Sequence, residues 1–370
     1  MLQTNHRPGL HTHNPTMMRL AMMALLITTL FMGACAGSRG KKDKLKGPQP
    51  LNNVAILDNI VHMLPQNSTG VLIVDMNRLM NHHLVTAFGL VEKDWNHEAM
   101  LADMRRIFKT HYGLDYTKAR WALLSGDDDT PVILIKGDMG TPPAEMKQVM
   151  GGMTVFVNAS QQYYLVQIKG QKNLYAICTD PEHVSKLAAL QNGKVPNLKD
   201  TEELALIKRI LTRVGPGDMT IATLFKNVED DLLSEVPMGI AQQSGALGVS
   251  VSDRLIVALQ GDPAELKETE QTIAKAFQDF RDEMAKEINT PTAQAEQDPG
   301  QALANIYLYH ISGALSDQIT PTLEDDLLVY DLAMDTITHP VTIIGGIVGV
   351  VMFTFGALLD GLGDMDTETL

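Results

Sequence analysis

Apolar positions along this chain recur at two spacings. One is helical: residues 51–63 (LNNVAILDNIVHM) place apolar side chains three and four apart and stop before Pro65. Residues 100–110 (MLADMRRIFKT) repeat the pattern and end at Gly113. Asp180-Pro181 puts a cap and a first-turn proline in the favoured order. Residues 201–214 (TEELALIKRILTRV) form an amphipathic helix, with Thr201 as cap and Glu203-Leu204 close to capping-box register. Asp262-Pro263 opens a long helix reaching Ile288, and 301–318 predicts another. The second spacing is that of strands: 71–74, 121–124, 132–135, 154–157, 163–168, 174–178, 219–225, 247–251, 255–260 and 327–334. The breaks between them carry Gly, Asp, Pro and Asn, as hairpin turns require. After the first strand, Asp75-Met76-Asn77 offers Asn77 as the cap of a following helix. The fold class expected is α+β: antiparallel sheets with flanking helices, plus a C-terminal apolar helix.

An order of elements is echoed. Pro65, a polar turn, a strand, Asn77 and a helix come first; Pro216-Gly217-Asp218, a strand and Asn227 follow later. The echo points to two similar α+β halves, 51–199 and 200–337, each a strand and helix followed by a hairpin or meander. Residues 289–300 (NTPTAQAEQDPG) have linker composition and are read as a loop between two helices.

Upstream of residue 51 the patterning changes. Residues 20–34 (LAMMALLITTLFMGA) are an apolar run of 15 residues, preceded by Arg19 and followed at once by Cys35. A charged start, a short apolar core and small residues before a cleavage point read as a secretory signal. The run falls short of the about 20 residues that a spanning helix needs. A start at Met17 or Met18 would leave a compact signal, with residues 1–16 outside it.

Met32-Gly33-Ala34-Cys35 resembles the lipobox of bacterial cell-envelope lipoproteins. Gly33 and Ala34 fit the pattern, and Met32 stands where that class prefers leucine. The resemblance covers roughly residues 17 to 40. It implies that 1–34 is a signal peptide, that Cys35 is acylated and becomes the first mature residue, and that 35–50 is a lipidated tether. Ala36 rather than Asp after the cysteine resembles the state sorted to the outer membrane. Residues 37–49 (GSRGKKDKLKGPQ) are polar, basic and glycine-containing, so they predict a flexible leash. Lys41, Lys42, Lys44 and Lys46 would lie near anionic head groups, each contributing about 1 kcal/mol there.

A second apolar run, 341–359 (VTIIGGIVGVVMFTFGALL), opens at Val341, closes at Leu359 and holds 19 residues without a charge. At about 1.5 Å per residue it would just cross a hydrocarbon core of about 30 Å. Gly345 and Gly349 would allow close helix packing in lipid. No Lys or Arg follows Lys286, so nothing fixes a topology. Segment 338–370, with its acidic tail, is therefore expected to insert into a membrane or an oligomer interface. The alternative is a helix or a glycine-rich strand pair buried in the soluble core.

The net charge of −14 becomes −16 on loss of a signal that carries Arg7 and Arg19 and no acid. That balance argues against a nucleic-acid partner. With Cys35 acylated, Cys178 is the only cysteine left, which excludes an internal disulfide; within LYAIC (174–178) it reads as a buried small side chain. His82, His83, His97 and His111 lack the spacing of a zinc site. Gly126-Asp127-Asp128-Asp129-Thr130 reads as a hairpin turn rather than a calcium loop, and Glu229-Asp230-Asp231 and Glu324-Asp325-Asp326 as loop or helix-start charge. No nucleophile elbow, phosphate loop or zincin motif is present, so no catalytic, cofactor-binding or metal residue is assigned.

The expectation is a non-catalytic lipoprotein of the bacterial envelope, facing the periplasm, with the outer membrane favoured over the inner. It would be held by lipid through acylated Cys35 and would bind an envelope protein or another envelope component. Two alternatives stand beside it: a periplasmic hydrolase-type enzyme without a recognisable motif, and a membrane assembly component oligomerising through 341–359.

Overall fold

The computed structural model of the chain describes residues 49–81, Ala102, Arg106, Lys109, Thr110, 112–127, 130–158, 163–227, 244–252, 254–289 and 321–333. Their strands are β1 (Gly70–Asp75), β2 (Ala119–Asp127), β3 (Thr130–Gly137), β4 (Lys147–Met150), β5 (Met153–Val157), β6 (Tyr164–Gln167), β7 (Leu174–Cys178), β8 (Met219–Leu224), β9 (Ala246–Val251), β10 (Arg254–Gln260), β11 (Thr322–Glu324) and β12 (Leu327–Ala333). All twelve join one sheet in the order β11-β12-β10-β9-β8-β1-β2-β3-β7-β6-β5-β4. Every neighbouring pair is antiparallel. The α-helices are α1 (Asn53–Ile60), α2 (Met76–Asn81), α3 (Pro181–Gln191), α4 (Glu202–Val214) and α5 (Pro263–Asn289). The architecture is α+β.

The order is mirrored about β1 and β8. Outward from that seam run β1-β2-β3-β7 on one side and β8-β9-β10-β12 on the other. The seam is centred on Leu72 opposite Ile221. It is closed at its two ends by matching hydrogen bonds: Asp75 N donates to Asp218 O at 2.9 Å, and Leu224 N donates to Thr69 O at 2.7 Å. On either side of the seam, the neighbouring strand places a buried serine, Ser125 opposite Val71 and Ser250 opposite Thr220. A Gly-Asp step closes each of the strands after them: Gly137, the last residue of β3, is followed by Asp138, and Gly261-Asp262 follows Gln260 at the end of β10. One continuous sheet thus runs through both 51–199 and 200–337.

Both faces of the sheet are covered. Val71, Ile73, Leu123, Leu134, Val155 and Ala222 pack with Leu57 of α1, Val184 and Leu187 of α3, and Ile207 and Ile210 of α4. Leu72, Val74, Ile221, Val249, Val257 and Leu328 pack with Met76 and Leu79 of α2 and Leu266 and Ile273 of α5. This double cover explains why β8 is buried at all six positions and reads as an unbroken apolar and threonine run. In α4, Leu204, Ile207, Ile210, Leu211 and Val214 form the buried stripe. Burying each such side chain contributes about 2 kcal/mol before entropy is charged.

Most local signals act where expected. Asn52, Asp180 and Thr201 cap α1, α3 and α4, accepting from Ala55 N, His183 N and Leu204 N. The third helical position after Thr201 is Leu204, so the capping box lacks its reciprocal carboxylate. For α2 the expected cap Asn77 is wrong: Asp75 Oδ1 accepts from Arg78 N at 3.1 Å, two residues earlier, because β1 runs straight into the helix. Between 100 and 110, the described residues Ala102, Arg106, Lys109 and Thr110 are helical, and Gly113 follows at φ +67°. Two strands, β4 and β11, escaped the pattern. β4 is recruited by a Gly151-Gly152 turn with φ of 58° and 81°, the mirror-image turn that suits a two-residue hairpin. Its Lys147, Gln148 and Val149 are exposed on the sheet edge, where alternation carries no information. The helix expected at 301–318 and the apolar run 341–359 lie outside the described residues. No helix of the described residues is long and apolar enough to cross a membrane.

Two arginines on the outer side of α4 tie down the β11–β12 turn. Arg213 Nε and Nη2 donate to Glu324 at 2.6 and 2.7 Å, and Arg209 Nη1 donates to Asp326 at 2.8 Å. Arg213 is expected to contribute no more than about 1 kcal/mol, and less at high salt, because both groups meet water. Its hydrogen bonds hold the Glu324 carboxyl below the usual value. The contribution is therefore present above the ordinary glutamate range and lost as pH falls through it. Thermal melts of Arg213→Ala at two ionic strengths check this; a loss of several kcal/mol would show a structural anchor instead.

Candidate functional site

The most unusual buried chemistry sits where the seam ends. β1 closes on Asp75, and Gly215-Pro216-Gly217-Asp218 leads into β8. The antiparallel register continues one step past Val74 opposite Met219, so the two aspartates face each other across neighbouring strands. The bond from Asp75 N to Asp218 O fixes that step. Asp75 is 0% exposed and Asp218 is 4% exposed. Carboxylates directly opposite on one sheet face repel each other, and burial strengthens the repulsion.

The chain supplies specific compensation. Arg78, in the first turn of α2, places Nε 2.9 Å from Asp218 Oδ1. Its backbone N–H donates to Asp75 Oδ1. Asp75 thus does two jobs with one oxygen, ending a strand and capping a helix. Its other oxygen, Oδ2, is buried with no hydrogen-bond partner among the described residues. Burial pushes the Asp75 carboxyl above the usual carboxylate range, against the pull of the Arg78 N–H and of the Arg120 and Arg78 charges. Trp121 lies directly across β2 from Asp75.

Gly217 makes the approach possible. A Cβ there would stand 2.5 Å from Ser250 Oγ and 2.6 Å from the carbonyl oxygens of Met219 and Val251. Its N–H donates to Thr220 Oγ1 at 3.1 Å, and Asp218 N donates to Val251 O at 2.7 Å. The loop before β8 is therefore held on both sides, and it presents Asp218 to Asp75 with little freedom. The arrangement brings two buried carboxyl groups and the Arg78 guanidinium to one end of the seam, with the Arg120 charge also acting on Asp75.

The residues singled out by sequence go elsewhere. Cys178 ends β7, buried, its thiol pushed up to about 12 by burial and by the Asp180 charge. That leaves almost no thiolate at neutral pH. The turn at 126–130 is a hairpin, with Asp127 opposite Thr130. Glu324 and Asp326 flank the β11–β12 turn around Asp325, whose φ is +54°, and they hold Arg213 and Arg209. Cys35, the acidic run 229–231 and the histidines at 82, 83, 97 and 111 lie outside the described residues. Among the described residues no group of three or more His, Cys, Asp or Glu is placed to hold a metal.

Asp75 and Asp218 were legible only as turn residues, since each follows the ordinary preference for Asp at a strand or loop boundary. The usable signal was the echo of Pro-turn-strand units, which makes their strands candidates for neighbours. No protein-family model, curated protein or solved structure matches the chain.

Proposed function

We propose that this chain is a non-catalytic lipoprotein of the bacterial envelope. In this reading 1–34 is removed, Cys35 is acylated, 35–50 is the leash, and the α+β module from residue 51 faces the periplasm and binds an envelope protein or another envelope component. The outer membrane is the favoured address. The observation that carries the reading is the apolar run 20–34 ending in Met32-Gly33-Ala34-Cys35 and followed by a basic leash. Two features support it. The buried, high-pKa thiol of Cys178 leaves Cys35 as the cysteine available for acylation. The first described helix starts at Asn53, just beyond the leash.

We further read the module as two similar halves, 51–199 and 200–337, joined strand to strand. The mirrored strand order about β1 and β8 and the paired Gly-Asp strand ends support that reading. The segment 341–359 would then be a second membrane contact or an oligomer contact.

The test is fractionation of wild type, Cys35→Ser, a truncation lacking 341–370, and the combination. Cys35→Ser is expected to move from the membrane to the soluble fraction, and the wild-type N-terminal peptide to carry the mass of an acylated cysteine. Retention of Cys35→Ser with release of the combination would assign the anchor to 341–359. Retention of all four, with an unmodified Cys35, would overturn the lipoprotein reading. Crosslinking in whole cells should recover a stoichiometric envelope partner.

A further inference from the structure

We propose that the end of the sheet at which β1, β3 and β6 finish is a docking surface for an anionic bilayer, so that the module lies with that end toward the membrane. The proposal rests on the envelope reading for the lipid and the leash, and its test does not need the acyl group.

The exit point of the leash sets the geometry. Gln49 is the first described residue, and its carbonyl accepts from Arg120 Nη2. Arg120 precedes Trp121, which lies opposite Asp75 of β1 on one side and Lys136 of β3 on the other. The leash therefore leaves the module at the end where β1 and β3 finish and β2 starts. A flexible chain of the length of 35–49 has a root-mean-square span of about 20 Å. That end is thus held within about this distance of the membrane that carries Cys35.

The surface around the exit is basic. Antiparallel pairing carries the same end across the sheet: Lys136 is opposite Leu174, where β7 starts, and Gln167, where β6 ends, is opposite Thr154 of β5. The β6–β7 turn places Lys169 and Lys172 there, both exposed. Helix α3 runs back to that turn, where Gln191 Nε2 donates to Lys169 O at 3.2 Å, and exposed Lys194 follows. Exposed Lys118 precedes β2, and half-buried Lys136 is next to last in β3. Among the described residues none of these five lysines forms an ion pair.

The acids of that end do not cancel them. Asp75 and Asp218 are buried. Asp115 accepts from Thr117 N in its own turn, and Asp138 accepts from Asn173 Nδ2 at 3.4 Å. Five lysines and Arg120 thus stand against two acids that reach solvent, in a chain whose net charge is −14. Beyond the seam the same end is balanced, since Arg254 at the start of β10 is matched by Asp331 at 2.7 Å.

Apolar side chains protrude beside the lysines. Val195, next to Lys194, is 39% exposed, and Val149 of β4 is 72% exposed. Val149 stands two residues before the Gly151-Gly152 turn, which closes β4 and β5 at that end. Cations interleaved with protruding apolar groups suit a bilayer interface, where lysines meet head-group phosphates and apolar groups reach the acyl boundary. The lysines stand on separate segments, before β2, within β3, in the β6–β7 turn and after α3. They form a field that fits a charged surface rather than one convergent site for a free anion.

The test uses residues 35–370 carrying Cys35→Ser, with vesicles of phosphatidylcholine alone or mixed with phosphatidylglycerol. Sedimentation should show stronger partition to the mixed vesicles, lost at high salt. Lys172→Glu with Lys194→Glu should weaken that partition about 25-fold or more, about fivefold for each lysine lost from the surface. Lys267→Glu with Lys275→Glu makes the same charge change at exposed positions of α5 and should leave it within about twofold. Equal losses from the two pairs, or equal partition to the two kinds of vesicle, would overturn the proposal. Orientation is read from a fluorophore on Gln171→Cys, in the β6–β7 turn, or on Thr130→Cys, at the opposite end of β3, with a nitroxide on the lipid head groups. Cys178 is buried and stays unlabelled. The eight residues of β3 span about 25 Å, so the label at 171 should be quenched and the label at 130 should not. Equal quenching, or the reverse order, overturns the proposal. An unmodified Cys35 in the wild-type chain, together with phosphatidylglycerol-dependent binding, would sink the lipoprotein reading and leave this surface standing.

Discussion

Gly70→Ala is expected to destabilise the protein by about 3 kcal/mol or more, although it adds a single methyl group. Gly70 starts β1 opposite Thr223 of β8. A Cβ there would lie 2.3 Å from Ala222 O and 2.9 Å from Thr223 Cα. Both are backbone atoms, so no rotamer change relieves the contact, and the strands themselves must part. Parting them costs the bond from Leu224 N to Thr69 O at 2.7 Å. On the other side of β1, Ser125 Oγ donates to Gly70 O at 2.7 Å, so the strand cannot shift away freely. Alanine would also reduce the freedom of the unfolded chain, but that gain is only about 0.4–1 kcal/mol and does not decide the sign. Urea unfolding of the variant beside Gly193→Ala makes the comparison. Gly193 has open space around its Cβ position and φ +65°, so it should lose only the cost of a left-handed alanine, about 1 kcal/mol. Equal losses at the two sites would show that the seam yields.

Gly248→Ala is expected to be nearly as damaging, by a mechanism that can be rescued. Gly248, in β9, lies under α4, and a Cβ there would stand 2.2 Å from Ile210 Cγ2 and 3.0 Å from Val214 Cγ1. The obstacles are side chains of a packed helix, both fully buried. The helix must lift or Ile210 must leave its rotamer, at about 2–3 kcal/mol. Ile210→Ala alone should cost about 2–5 kcal/mol through the cavity it leaves. Together, the two changes should cost clearly less than their sum, because the new methyl fills part of that cavity. A double-mutant cycle by chemical denaturation measures the coupling. Simple additivity would show that α4 does not rest on Gly248. The contrast with Gly70 is the useful part: side-chain clashes can be complemented, and backbone clashes cannot.

Much of the fold was readable before any packing was known. The α4 stripe of Leu204, Ile207, Ile210, Leu211 and Val214 is a helical period, and its Thr201 cap is a local hydrogen bond. Strands β7, β10 and β12 matched their apolar runs because each is buried along most of its length. β4 was missed because an edge strand needs no apolar alternation, and β11 because three exposed residues carry no pattern. Asn77 was a plausible cap, and it lost to Asp75 because the turn into α2 takes no extra residue. The candidate site was the least legible part. Asp75 and Asp218 sit far apart along the chain, and each looks locally like a turn residue.

Sequence therefore settled what short-range physics settles: which segments are helix or strand, where most caps and hairpin turns fall, the acidic balance, and the apolar run ending at Cys35. Periodicity, capping and turn preference act within a few residues, so they are written in consecutive letters. The tertiary structure decided that β1 pairs with β8, that Gly70 and Gly248 are points of closest approach, and that Asp75 faces Asp218. Pairing and register depend on burial over both faces of the whole sheet. That burial exists only once distant segments have met, and it makes two ordinary turn aspartates into a buried acid pair.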